Sequence, residues 1–96
     1  MVEFLKNYGI KDNVIKEIEN VNTDANLFNL KCNELEVVKI INYLNSIGIT
    51  CLDELLVYRL NIFFMDLNTL KSLLEKYDLD KFVSLVNNDY TLIDRL

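Results

Sequence analysis

The chain has 96 residues, fifteen acidic against ten basic, with no proline, two glycines and two cysteines. One domain, spanning 1–96, is what this length accommodates, and an apolar fraction of 51% supplies a core without disulfide staples. So few turn residues argue against a β-rich domain. Scattered lysines and a net charge of −5 argue against a basic stripe that grips a phosphate backbone, and the dispersed acids form no evident DNA-mimicking face.

A first short helix is predicted over 2–8, stopping at Gly9, where a left-handed backbone costs little. Residues 12–20 carry Val14, Ile15 and Ile18 at helical spacing, and the polar run from Asn20 to Asn26 reads as a loop. Asn33 with Glu36 resembles a capping box and opens the longest predicted helix, 34–47, which ends at Gly48. In that helix Leu35, Val37, Val38, Ile40, Ile41, Tyr43, Leu44 and Ile47 leave only a narrow polar stripe, which places it at the centre of the fold. Thr50 with Asp53 forms a second candidate box, ahead of a helix over 51–60 that turns Leu52, Leu55, Leu56 and Leu60 inward. Asp66 or Asn68 caps a helix over 67–77, with Leu67, Leu70, Leu73, Leu74 and Tyr77 toward the core. Asp80 starts another, to residue 87, carrying Phe82, Leu85 and Val86; a last turn covers 90–95. The expected fold is all-α, a small helical-repeat domain of about five to seven short helices.

The chain also matches itself. Leu44-Asn45-Ser46-Ile47-Gly48-Ile49 recurs thirty residues later as Leu74-Glu75-Lys76-Tyr77-Asp78-Leu79, and Leu52, Leu55, Leu56, Ile62 and Phe63 then pair with Phe82, Leu85, Val86, Leu92 and Ile93. An earlier copy starts at Leu5; its Asn26-Leu27-Phe28 answers Asn61-Ile62-Phe63, and Leu35 answers Leu70. A Leu-x-x-x-Gly-Ile break between helices, then a short apolar turn, then a Leu-x-x-Leu helix resembles the mitochondrial transcription termination factor family. The best unit runs from Leu44 through Gly48, Ile49 and Asn61-Ile62-Phe63 to Tyr77. The resemblance implies stacked helical repeats and a groove that tracks nucleic acid. Two departures stand against the second implication: the family usually has proline where Asn26 and Asn61 stand, and its members are longer and basic. Fold alone does not carry function.

Little chemistry can be built from these residues. Without histidine there is no Ser-His or Cys-His pair, and Cys32 and Cys51 alone make no zinc site. Cys51 stands near a predicted helix start, where the dipole lowers a thiol pKa, but a small apolar filler is the favoured role. The acids at Asp53-Glu54, Glu34/Glu36 and Asp78/Asp80 all fall at predicted helix starts, where they offset the dipole. No glycine-rich phosphate loop is present. The expectation is a non-enzymatic chain with no catalytic residue, cofactor or metal. Its N-terminus has neither the charge nor the apolar run of a signal peptide, no stretch spans a bilayer, and two thiols without secretory context point to the cytoplasm.

The leading functional expectation is a protein-binding module, self-association included; nucleic-acid binding, carried by the resemblance alone, is the alternative. Candidate contact residues are Tyr58 and Arg59, which point away from Leu52 and Leu56, and Phe64, since Phe64 or Met65 cannot turn inward if Phe63 does. Tyr90, Leu92, Ile93 and Leu96 repeat the apolar spacing of Leu60, Ile62 and Phe63 with no following helix to cover them. Either a two-fold dimer or the N-terminal helix, through Val2, Phe4 and Leu5, is expected to cover that end.

Overall fold

Helix is the only regular secondary structure in the computed structural model, which describes residues 1–96. The first element is a 3-10 turn, η1 (Glu3–Tyr8), followed by α1 (Asp12–Val21), α2 (Asp24–Cys32), α3 (Glu34–Ser46) and α4 (Leu52–Tyr58). The second 3-10 turn, η2 (Leu60–Phe64), leads to α5 (Leu67–Leu74), α6 (Leu79–Asn88) and a closing turn, η3 (Tyr90–Arg95). The all-α expectation holds.

Both glycines end helices with a positive φ, 89° at Gly9 and 94° at Gly48. At each, the following amide reaches back to the helix: Ile10 N–H to Leu5 O at 3.2 Å and Ile49 N–H to Leu44 O at 3.0 Å. A Cβ at Gly9 would meet nothing, so backbone conformation rather than crowding is what calls for glycine there.

Helix α3 is the hub. Val37, Ile40, Ile41 and Leu44 are fully buried, and the helix packs against η1, α2, α4, η2 and α5. Its first turn is the exception: Leu35, expected inside, is 78% exposed. At about 100° per residue, two positions before Val37 is the opposite side of the helix, so the inward stripe leaves Leu35 in solvent. Val2 and Leu5 are buried, and η1 packs against α1 and α3. The contacts to η3 come instead from α6, from the Tyr58 ring and from the Tyr77 hydroxyl.

Local chemistry corrects several other expectations. The run read as a loop shrinks to Asn22-Thr23, because Thr23 caps a helix absent from the sequence reading, its hydroxyl accepting from Asn26 N–H at 3.2 Å. Asn33 makes no capping bond to α3; its amide donates to Asn29 O at 2.8 Å and finishes α2. Cys51, not Thr50, is the N-cap of α4, and Asp78, not Asp80, caps α6, accepting from Lys81 N–H. Asp66 does cap α5, through Thr69 N–H at 3.2 Å. Helix α5 ends at Leu74, so Tyr77 lies beyond it and is exposed, stacking on Phe82 with ring centroids 4.5 Å apart. The inward face of α6 is centred on Phe82, Val83 and Val86, which turns Leu85 out to the flank.

Two asparagines tie elements distant in sequence. Asn22 Nδ2 donates to Ile18 O at 2.9 Å and to Val57 O at 3.0 Å, joining α1 to α4. Asn87 works in both directions: Nδ2 donates to Gly48 O at 2.9 Å while Oδ1 accepts from Thr50 N–H at 2.8 Å. That carboxamide pins the turn after α3 to α6. Between α4 and η2, and again thirty residues later between α6 and η3, one residue separates an α-helix from a 3-10 turn.

Candidate functional site

The structure brings together three of the residues singled out in the sequence. Tyr58, at the end of α4, stacks on Tyr90, at the start of η3, with centroids 5.6 Å apart and planes 17° apart. The Arg59 guanidinium lies 5.4 Å from the Tyr90 ring centre, its Nε donates to Asp94 Oδ1 at 2.9 Å and its Nη1 to Tyr58 O at 2.8 Å. Tyr58 also donates its hydroxyl to Glu17 Oε1 at 3.3 Å, and the negative charge of that carboxylate raises the phenol pKa above its ordinary value. These contacts run between α1, α4 and η3 within one chain. They hold the last turn in place, so Arg59 is engaged at home rather than held out to a base or a partner.

The C-terminal residues divide. Ile93, expected at a contact surface, is buried in the core. The η3 turn lies against α6, with Tyr77 Oη donating to Arg95 O at 2.9 Å, and this geometry directs Ile93 inward as Phe63 is directed in η2. Tyr90, Leu92 and Leu96 are half-buried against the same core.

Phe64 belongs to a different place. It is half-buried and lines a groove of about 420 Å³ floored by Phe63, Phe64 and Met65 and bordered by Asn29, Asn33, Glu36 and Asp66. A shallower concavity formed by residues 32–36 continues it, sharing Asn33 and Glu36. Leu35 lies in this extension, and Phe28, 61% exposed, stands one helical turn before the exposed Cys32. The α2–α3 corner thus presents large apolar side chains to solvent next to a groove lined by three apolar and four polar residues. Sequence reasoning missed it by assigning Leu35 to the core and Phe28 to the role of Phe63. The usable signal was the position of Leu35 opposite the Val37, Ile40, Ile41 and Leu44 stripe.

Charge around the concave surfaces is acidic. The groove carries Glu36 and Asp66, its extension adds Glu34, and a third hollow beside Tyr58 is lined by Glu17, Asp53 and Glu54; none of these includes a lysine or arginine. Burial, then the neighbouring Glu54, raises the Asp53 carboxyl above its ordinary pKa. A fourth hollow mixes Glu3, Asp12 and Glu19 with Lys6 and Lys16. Cys51 is buried with Sγ 3.5 Å from Val86 O, and burial pushes its thiol pKa up, against the direction the α4 dipole would give. No three or more Cys, Asp or Glu side chains are grouped to hold a metal ion. No helix is long and apolar enough to cross a membrane.

A scan against protein-family models and searches of curated proteins and solved structures found no match.

Proposed function

We propose that this chain is a non-enzymatic helical module that binds another protein through its α2–α3 corner. The observation that carries the reading is the exposure of Leu35, in the hollow that shares Asn33 and Glu36 with the Phe64–Met65 groove, and of Phe28, next in sequence to the groove residue Asn29. One exposed leucine is ordinary in a folded protein, but two large apolar side chains exposed on successive helices next to a groove that holds Phe64 and Met65 are what a contact site offers. The Tyr58–Arg59–Tyr90 cluster serves the fold, so it is not assigned to the partner. The recurrence of an α-helix followed by a 3-10 turn at a thirty-residue offset supports a repeat framework similar to that of the mitochondrial transcription termination factors. It lends no support to their nucleic-acid binding, since a phosphate backbone calls for basic side chains and three of the four hollows contain none.

Site-specific photo-crosslinking in the expressing cell tests the proposal. A benzophenone side chain placed at 28 or 35 should give a discrete adduct with another protein, and the same group at the exposed Leu85 should not. Equal adducts at all three positions, or none at 28 and 35, would remove the corner as a contact face. Binding to a DNA or RNA duplex or single strand much tighter than about micromolar at physiological salt would overturn the reading in favour of nucleic acid.

A further inference from the structure

Taking the α2–α3 corner as a protein-binding face, we infer that the segment it receives is a basic amphipathic helix. The groove offers apolar surface: Phe63, Phe64 and Met65 line it, the last two half-buried, and Leu35 lines the adjoining hollow. Methionine and aromatic side chains accommodate varied apolar anchors. The rim carries the charge. Glu34, Glu36 and Asp66 are the only charged residues lining the groove and its extension, and all are negative. Lys39 offsets Glu36 in part, at 3.1 Å, whereas Glu34 and Asp66 are in no ion pair.

The partner's backbone must bring its own hydrogen bonds. This fold has no strand and hence no sheet edge for an extended peptide to join. A helix satisfies its backbone internally and places anchors at i, i+3 or i+4, and i+7, the form that grooves between helices accept. Lysines or arginines flanking that stripe meet Glu34 and Asp66. A second copy of this chain is a poor occupant: a two-fold interface through the corner brings two copies of this acidic rim together, in a chain already at −5. Charge at such a rim acts mainly on encounter rate and salt dependence, while the apolar floor holds the complex.

Two synthetic helical peptides of about 18 residues, or five turns, sharing one Leu/Ile/Phe stripe but flanked by lysine in one and glutamate in the other, provide the probe. Fluorescence anisotropy with the intact chain should show the lysine peptide binding at least about tenfold tighter than the glutamate peptide, a margin that shrinks as salt rises. Glu34→Lys with Asp66→Asn, the latter keeping a capping oxygen, should abolish the margin; Phe28→Ser with Leu35→Ser should weaken both peptides. Circular dichroism checks that each variant remains helical. Failure of the lysine peptide to bind, equal binding of the two peptides, or a margin untouched by the charge variant overturns the basic-helix inference. So does a wild-type dimer in sedimentation that Leu35→Ser dissociates. Equal binding that is nevertheless lost with Phe28 and Leu35 would remove only the partner's charge, leaving the corner as a protein-binding face.

Discussion

Asn26-Leu27-Phe28 and Asn61-Ile62-Phe63 carry the same short pattern and reach opposite ends. Phe63 is 1% exposed, Phe28 61%. The difference lies in what surrounds them. Turn η2 is enclosed by α2, α3 and α4, and its tight winding directs Leu60, Ile62 and Phe63 all inward. Helix α2 sits at an edge, meets α3 and η2 on one side only, and buries just Leu27 and Leu30. At about 100° per residue an α-helix turns the neighbour of a buried Leu27 away from the core. Pattern sets which residues are able to be buried; enclosure decides which are.

The largest effects should follow enclosure. Phe63→Ala should cost roughly 3–5 kcal/mol in chemical unfolding and Leu70→Ala roughly 2–5, as large-to-small changes at closed sites. Leu44→Ala should fall in the same range of about 2–5 kcal/mol, and Ile41→Asp should prevent folding. Phe28→Ala and Leu35→Ala, their sequence counterparts at the edge, should stay within about 0.5 kcal/mol of wild type. Comparable losses at both members of either pair would mean that enclosure does not separate the two positions.

An intermediate effect should come from the polar ties. Asn87→Ala deletes two hydrogen bonds of roughly 0.5–1.5 kcal/mol each and should lower stability by about 1–3 kcal/mol, with Asn88→Ala next to it as the neutral control. An unchanged unfolding midpoint would mean that the turn after α3 does not need its link to α6.

The thiols sharpen the contrast further. A thiol reagent should label the exposed Cys32 in the native protein and Cys51 only on unfolding. Burial raises the native Cys51 pKa above 9.0, so the native state holds that proton more tightly than the unfolded chain. The corresponding stability is present below pH 9.0 and is lost as pH rises through the native value; Cys51→Ala should therefore flatten the alkaline fall in melting temperature. Equal labelling of both thiols, or an alkaline profile identical in the variant, would count against this burial.

Much of the frame was legible in the sequence because its signals are local. Gly9 and Gly48 mark helix ends, Val37, Ile40, Ile41 and Leu44 form an inward stripe, and Asp66 caps the helix it precedes. Helix α2 was not legible. Asp24-Ala25-Asn26-Leu27-Phe28-Asn29 shows no clean stripe, and its one usable mark was Thr23 ahead of Asn26. The asparagines were opaque for a different reason: Asn22 and Asn87 act through partners 35 to 39 residues away, which composition cannot reveal. For the site, the sequence offered Tyr58, Arg59 and Tyr90 as contact residues, whereas the fold joins them to one another and to Glu17 and Asp94. The exposure of Phe28 and Leu35 was hidden by the self-match that equated them with the buried Phe63 and Leu70.

Phe28 and Leu35 are apolar groups the fold does not use. Equilibrium urea unfolding of the Phe28→Ser/Leu35→Ser double variant tests this most directly. An unfolding free energy within about 0.5 kcal/mol of wild type, with an unchanged denaturant dependence, is the predicted result. A loss of roughly 2 kcal/mol or more, on the scale of a core truncation, would contradict the account and return both residues to the core.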